Sequence, residues 1–174
     1  YDVLLYEFKH DLNAYLAGLP GPDDLPATTL EALIAFNEAH ADEEMPFFDQ
    51  EIFIKSQAKG PLTEAAYTEA LNLVQSTCRQ GIDQLLAEHE LDALIAPTGG
   101  PAWKTDLVNG DHFIGSSSSY PARAGYPNIT VPMGAVHGLP VGLSFFASAL
   151  SEPTLIEITF AYEQATRHRA PPSR

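Results

Sequence analysis

Apolar residues recur along this chain in two rhythms. The first is helical. Leu5, Phe8, Leu12, Tyr15 and Leu19 return every three or four residues, and Gly18 with the Pro20-Gly21-Pro22 stop ends the run. Thr28 or Thr29 can cap a second helix whose apolar side carries Leu30, Leu33, Ile34 and Phe36. After the acidic knot Asp42-Glu43-Glu44, Pro46–Ala58 reads as a short helix, closed by Gly60-Pro61. A long helix capped by Thr63 follows, with Tyr67, Leu71, Val74, Cys78, Ile82 and Leu85 as a core-facing stripe. The last helix starts at Ser151 and places Leu155, Ile158, Tyr162 and Ala165 on one side. Arg167, His168 and Arg169 suit its C-terminal dipole before Pro171-Pro172.

The second rhythm is strand-like. Leu91–Ala96 is a compact apolar run of strand length, closed by Pro97. Ile129–Val131 and Val141–Phe146 read as two further strands, with Gly125, Pro127, Pro132, Gly134, Gly138 and Pro140 breaking the chain around them. Residues 98–119 turn to Gly, Ser, Asp and a single Trp without clear periodicity, which predicts a loop region of the kind where sites sit. Residues 117–125 suggest a short helix leading into Ala124-Gly125-Tyr126-Pro127. The order helix, strand, strand, strand, helix predicts an α/β sheet covered by helices.

Composition narrows the picture. The 174 residues leave room for one domain with a hydrophobic core, and 45% are apolar. No apolar run approaches the roughly 20 residues that cross a bilayer, so no membrane partner is expected. Formal net charge is −14, from 23 acids against 9 bases, and residues 1–60 hold only Lys9, Lys55 and Lys59 as bases. Such a field repels phosphate backbones and argues against nucleic acid as a partner. Cys78 stands alone, which excludes an internal disulfide; on a helix stripe it reads as a buried structural thiol. Asn128-Ile129-Thr130 fits a glycosylation sequon but opens a predicted buried strand. Asp106 and Asp111-His112 make only a loose cluster, without a second His at ligand spacing, and read as surface loop; no metal or cofactor is expected. The helical pattern is already running at Tyr1, so the chain is expected to be cut from something longer.

Four segments together carry a resemblance. Leu91–Thr98 (LDALIAPT), Ala124–Gly134 (AGYPNITVPMG), Gly138–Leu143 (GLPVGL) and Ser151–Arg169 follow in the order and spacing of the amidase signature family. The resemblance runs from about Tyr1 to the C-terminus. It implies the C-terminal part of the amidase signature fold, a mixed sheet between helical layers. It also implies amide hydrolysis through a Ser–cis-Ser–Lys centre, by acylation of a serine and release of the acid by water. In that family the nucleophile sits in a GGSSGGS-like loop in the N-terminal portion, with the bridging cis-Ser and a strand-borne Lys. Gly115-Ser116-Ser117-Ser118-Ser119 lacks the paired glycines and lies just before AGYP, and Lys9, Lys55, Lys59 and Lys104 match no catalytic-lysine context. The expectation is therefore one segment, residues 1–174, of a larger amidase, with no catalytic residue of its own. It would complete the sheet and part of the substrate cleft, and would be inactive alone.

The glutamyl-tRNA(Gln) amidotransferases contain an A-type chain that resembles this one through the same motifs, and a non-catalytic binding or assembly module is a further alternative. Against the amidotransferase, the segment GSSSSYPARAGYP is uncharged until Arg123, where those chains carry an Asp that grips the α-amino group of glutamine. The serine run with Gly100-Pro101-Ala102-Trp103 looks closer to bacterial peptide amidases, which implies a small amide or peptide-amide substrate.

Five residues are candidates for substrate binding. Trp103 can wall an apolar pocket or equally plug the edge of the core. Thr98 closes the APT motif near the cleft of relatives, although a turn hydroxyl bonding local backbone is the plainer reading. Ser116, Ser117 and Ser118 can offer hydroxyls to an amide or carboxylate, with helix capping as the simpler alternative. A segment without the rest of its protein should also expose apolar surface on Ile129–Val131, Val141–Phe146 or the first helix, which predicts self-association.

Overall fold

The computed structural model describes residues 1–21 and 25–171; Pro22 and Pro172, parts of the helix stops expected from the sequence, lie outside them. The chain divides into two compact units, Tyr1–Asn72 and Leu73–Arg174.

The first unit is helical. α1 (Asp2–Ala17) buries Leu5, Tyr6 and Leu16 and stops at Gly18. The stripe drifts by one position along the helix, so Leu16 is buried while Tyr15 is 65% exposed. α2 (Leu30–Ala39) is capped by Thr29, whose Oγ1 accepts the Ala32 N–H at 3.1 Å, and Leu30 is fully buried. The acidic knot forms the short α3 (Ala41–Glu44), and α4 (Glu51–Gln57) follows. Side chains brace these helices. The Tyr6 hydroxyl donates to Glu64 at 2.6 Å and the Tyr67 hydroxyl to Glu7 at 2.8 Å. Lys9 donates to the carbonyls of Gln57 and Lys59 at 2.8 and 2.6 Å, tying α1 to the end of α4. Each phenol's acidity is pushed down, its pKa raised, first by the hydrogen bond to its carboxylate and then by burial.

α5 (Ala65–Glu88) supplies the long helix. Its first intrahelical carbonyl belongs to Glu64, which accepts the Thr68 N–H at 3.1 Å, one residue after the expected Thr63 cap. Cys78 and Ile82 are buried as expected, whereas the stripe continues to Leu86 and leaves Leu85 45% exposed.

The second unit is built on a three-stranded antiparallel sheet of order β1-β3-β2: β1 (Leu94–Pro97), β2 (Asn128–Val136) and β3 (Leu139–Phe146). β2 and β3 are longer than the sequence suggests, because Pro132, Gly134 and Pro140 lie inside them, whereas β1 is shorter than the run Leu91–Ala96 and includes Pro97. Pro132 sits at a register shift on the edge strand β2. Pro140 pairs with Ala135 beyond the end of β1, where its missing N–H leaves no ladder bond unmade. His137 and Gly138 join β2 to β3, both at positive φ (50° and 81°), the two-residue arrangement of a type I′ hairpin.

Alternation assigns the two faces of this sheet. Phe146, Leu94 and Ala96 pack with Cys78 and Ile82 of α5 and with Ala124 of α6 (Ser119–Ala124). Val131 and Phe145 pack on the other face with Leu155 of α7 (Glu152–Thr166). Thr159, a polar residue outside the predicted stripe, is buried on α7 because its hydroxyl donates to the Leu155 carbonyl at 2.7 Å. The α/β class is thus observed, as a sheet between helices. Val131, Phe145 and Phe146 are buried, so of the surfaces expected to be exposed it is the first helix that shows apolar side chains, at Leu4 and Tyr15; Ile95 of β1 and Ile156 and Phe160 of α7 are exposed as well.

Candidate functional site

Where β1 ends, the chain enters an open cleft of about 370 Å³ lined by Ala96, Pro97, Gly99, Gly100, Ile114, Gly115, Ser116 and Ser117. Two backbone segments make its wall. Gly99 pairs with Ser116 in an isolated antiparallel bridge, and the Ser117 N–H donates to the Thr98 carbonyl at 3.2 Å. The two segments approach closely at Gly100, where a Cβ would fall 2.7 Å from the Ile114 side chain and that side chain would have to shift. The second wall segment leads directly into α6, which Gly125 ends in the left-handed conformation at φ 70°.

The predicted site residues separate into three groups. Ser116 and Ser117 line the cleft, and Ser118 stands beside them through a hydroxyl–hydroxyl bond to Ser116 at 2.8 Å. Ser118 precedes α6 but its side chain makes no cap hydrogen bond, so capping does not account for the serine run. The Ser117 hydroxyl is shielded from solvent and has no hydrogen-bond partner among the described residues. Thr98 adjoins the cleft, with its hydroxyl on the sheet face, 2.5 Å from the Thr130 hydroxyl and 2.9 Å from that of Ser144. Trp103 lies further along the loop; its Nε1–H donates to Asp111 at 3.2 Å and its ring meets the edge of Phe113.

Thr130, Gly142 and Ser144 are missing from the candidates that the sequence offers. Their signal was the strand alternation itself, which puts Thr130 opposite Ser144 and Gly142 on the same face, opposite Pro132.

The chemistry of the wall is neutral. None of the eight lining residues ionises, so the cleft offers backbone groups and hydroxyls but no acid or base. Asp106 is occupied in its own turn, accepting from the Val108 and Asn109 amides and the Asn109 side chain. These bonds, the Asn109 amide foremost, hold its carboxyl below the usual carboxylate range. Tyr126 of the AGYP motif is an anchor: its hydroxyl donates to Asp83 of α5 at 2.7 Å, and Ser148 donates to the same carboxylate at 2.6 Å.

No protein-family model matches the chain. A probable amidase of Arabidopsis thaliana is 40% identical over 173 residues, covering 98% of this chain and 30% of its own length. A peptide amidase solved with the competitive inhibitor chymostatin is 46% identical, superposes with a TM-score of 0.90 and covers 99% of this chain and 34% of its own. A bacterial aryl acylamidase of the amidase signature enzymes, 21% identical, shares the fold over 79% of this chain at a TM-score of 0.53. The A-type chain of a glutamyl-tRNA(Gln) amidotransferase from Clostridium acetobutylicum is 35% identical over a shorter stretch of 109 residues, 60% of this chain. The chain thus spans about a third of the length of the amidases it matches. Sequence kinship across nearly the whole chain and the shared fold make it a member of the amidase signature family, corresponding to the C-terminal part of its relatives.

Proposed function

We propose that this chain is the C-terminal segment of a hydrolase that cleaves carbon–nitrogen amide bonds through a serine acyl-enzyme, with the catalytic Ser–cis-Ser–Lys carried outside residues 1–174. In this reading the segment completes the sheet and contributes one wall of the cleft that takes a small amide or peptide amide. Ser116, Ser117 and Ser118 offer hydroxyls on that wall, Thr98 adjoins it, and Trp103 belongs to the loop beside it.

The observation that carries the reading is the kinship to a peptide amidase over 99% of the chain, combined with a serine-lined cleft that holds no base. A serine becomes a nucleophile only with a proton acceptor in hydrogen-bond reach, and here Ser116 is bonded to Ser118 while Ser117 has no partner among the described residues.

Ammonia release from peptide amides and simple amides tests the proposal. The purified 174-residue chain should release none, and the full-length protein should release it. Turnover by the chain alone that disappears in Ser117→Ala would overturn the reading. The exposed Ile156 and Phe160, one turn apart on α7, also support self-association of the isolated chain. Light scattering at high concentration should find dimers or larger species, and a strictly monomeric chain would count against it.

A further inference from the structure

Thr98 is the joint between sheet and cleft. Its N–H donates to the Gly142 carbonyl at 2.8 Å, its own carbonyl accepts from Ser117, and the next residue pairs with Ser116. The polar half of the cleft wall therefore hangs from the backbone of Thr98 and its neighbour Gly99. Thr98 is fixed in turn through its side chain, which lies between the hydroxyls of Ser144 and Thr130.

Counting protons gives this hydroxyl chain a direction. Ser144 is fully buried, and Thr98 is its hydroxyl's partner among the described residues. An arrangement in which Ser144 only accepts would strand a buried O–H without an acceptor, which is the costly state. Ser144 therefore donates to Thr98, and Thr98 donates to Thr130 at the exposed end of the chain. Each link polarises the next, so removing the middle member costs more than one bond. Gly142 makes the arrangement sterically possible. A Cβ there would lie 2.6 Å from the Thr130 hydroxyl oxygen and 2.8 Å from that of Thr98.

We infer that Thr98 is a positioning residue for amide binding: through its hydrogen-bonded rotamer and its carbonyl it sets where Ser116 and Ser117 stand in the cleft, with Ser144, Thr130 and Gly142 holding it. The inference rests on the proposed amidase reading and assigns Thr98 a role that does not require it to touch substrate. On that reading the group held is the substrate's amide, which hydroxyls and backbone groups can meet without a charged partner.

The test uses the full-length protein that carries this chain. Thr98→Val removes the hydroxyl at nearly constant volume, and Thr98→Ser retains it. Thr98→Val should raise KM for a peptide amide about 10-fold while kcat stays within about twofold, the pattern of lost uniform binding. It should also speed hydrogen exchange of the backbone at residues 115–118, and Thr98→Ser should stay within about twofold of the parent in both readouts. Gly142→Ala, which keeps every hydroxyl but wedges them apart, should move both readouts in the same direction as Thr98→Val. Should Thr98→Val fail to fold, Ser144→Ala and Gly142→Ala carry the same expectation. A variant that loses thermal stability yet keeps KM and the exchange of residues 115–118 unchanged overturns the inference, as does a Thr98→Ser that behaves like Thr98→Val. If the parent protein hydrolyses no peptide amide, the proposed function fails on its own account. The exchange measurement then decides the positioning role, and unchanged exchange in Thr98→Val overturns it.

Discussion

The helical unit and the sheet unit fix their polar groups in contrasting ways. In Tyr1–Asn72 the bracing groups are long: Tyr6 and Tyr67 reach to carboxylates, and Lys9 reaches two carbonyls near the end of α4. In Leu73–Arg174 the sheet uses the short side chains of Thr98, Thr130 and Ser144, fixed by strand register. Long side chains tolerate adjustment of helix against helix, because their several torsions absorb it. Short hydroxyls on paired strands have no such slack. A cleft wall that must place serines for a neutral ligand is better hung from the second kind of support.

The two units can be told apart by substitution. The largest expected effect is in the sheet unit, where Leu155→Ala empties the core under α7 and should cost about 3 kcal/mol in denaturant unfolding. A loss below about 1 kcal/mol would mean that this face is not packed as described. In the helical unit, Thr29→Ala removes the α2 cap and should cost about 1 kcal/mol. Ser56→Ala should act in the opposite sense. Ser56 is fully buried on α4 and its hydroxyl has no partner among the described residues, so deleting that oxygen should stabilise the unit by about 1 kcal/mol.

The subtlest expectation concerns alkaline pH. Tyr6, Tyr67 and Tyr126 each donate to a carboxylate and have pKa values raised above 10.0. A raised folded-state pKa means that the folded chain holds the proton more tightly. The stabilisation is therefore complete below about pH 10 and fades as pH rises through the folded-state values. Two of the three phenols lie in the helical unit. Tm followed from pH 8 to 11 should thus flatten more in Tyr6→Phe/Tyr67→Phe than in Tyr126→Phe. Equal flattening would remove the contrast between the units.

Much of this fold was legible in the sequence because periodicity reports burial directly. Cys78 and Ile82, Leu30 and Leu155 all face the core as their spacing predicted. The errors have one cause at helix ends. A stripe extrapolated by threes and fours leaves two candidate positions per turn, and neighbouring elements chose Leu16 over Tyr15 and Leu86 over Leu85. Prolines misled the strand boundaries, since the sequence cannot say which N–H groups point away from a partner. At the site, the serine run announced itself by composition. Thr130, Gly142 and Ser144 did not, because what joins them to Thr98 is strand register: the His137-Gly138 turn, which reads as an ordinary break, aligns β2 with β3, and the pairing of β1 with β3 is set by residues far apart in sequence.

That turn also sets an order of events. A two-residue connection lets β2 and β3 find each other by local search, on the microsecond scale of hairpins. β1 must wait for the whole chain between Pro97 and Leu139 to close, so its pairing bears a loop-entropy cost that the hairpin does not. We expect pulse-labelled exchange during refolding to protect the β2–β3 amides before those of β1; simultaneous protection would refute this sequence. The cleft wall, suspended from the end of β1, is then among the last parts of the sheet unit to become native.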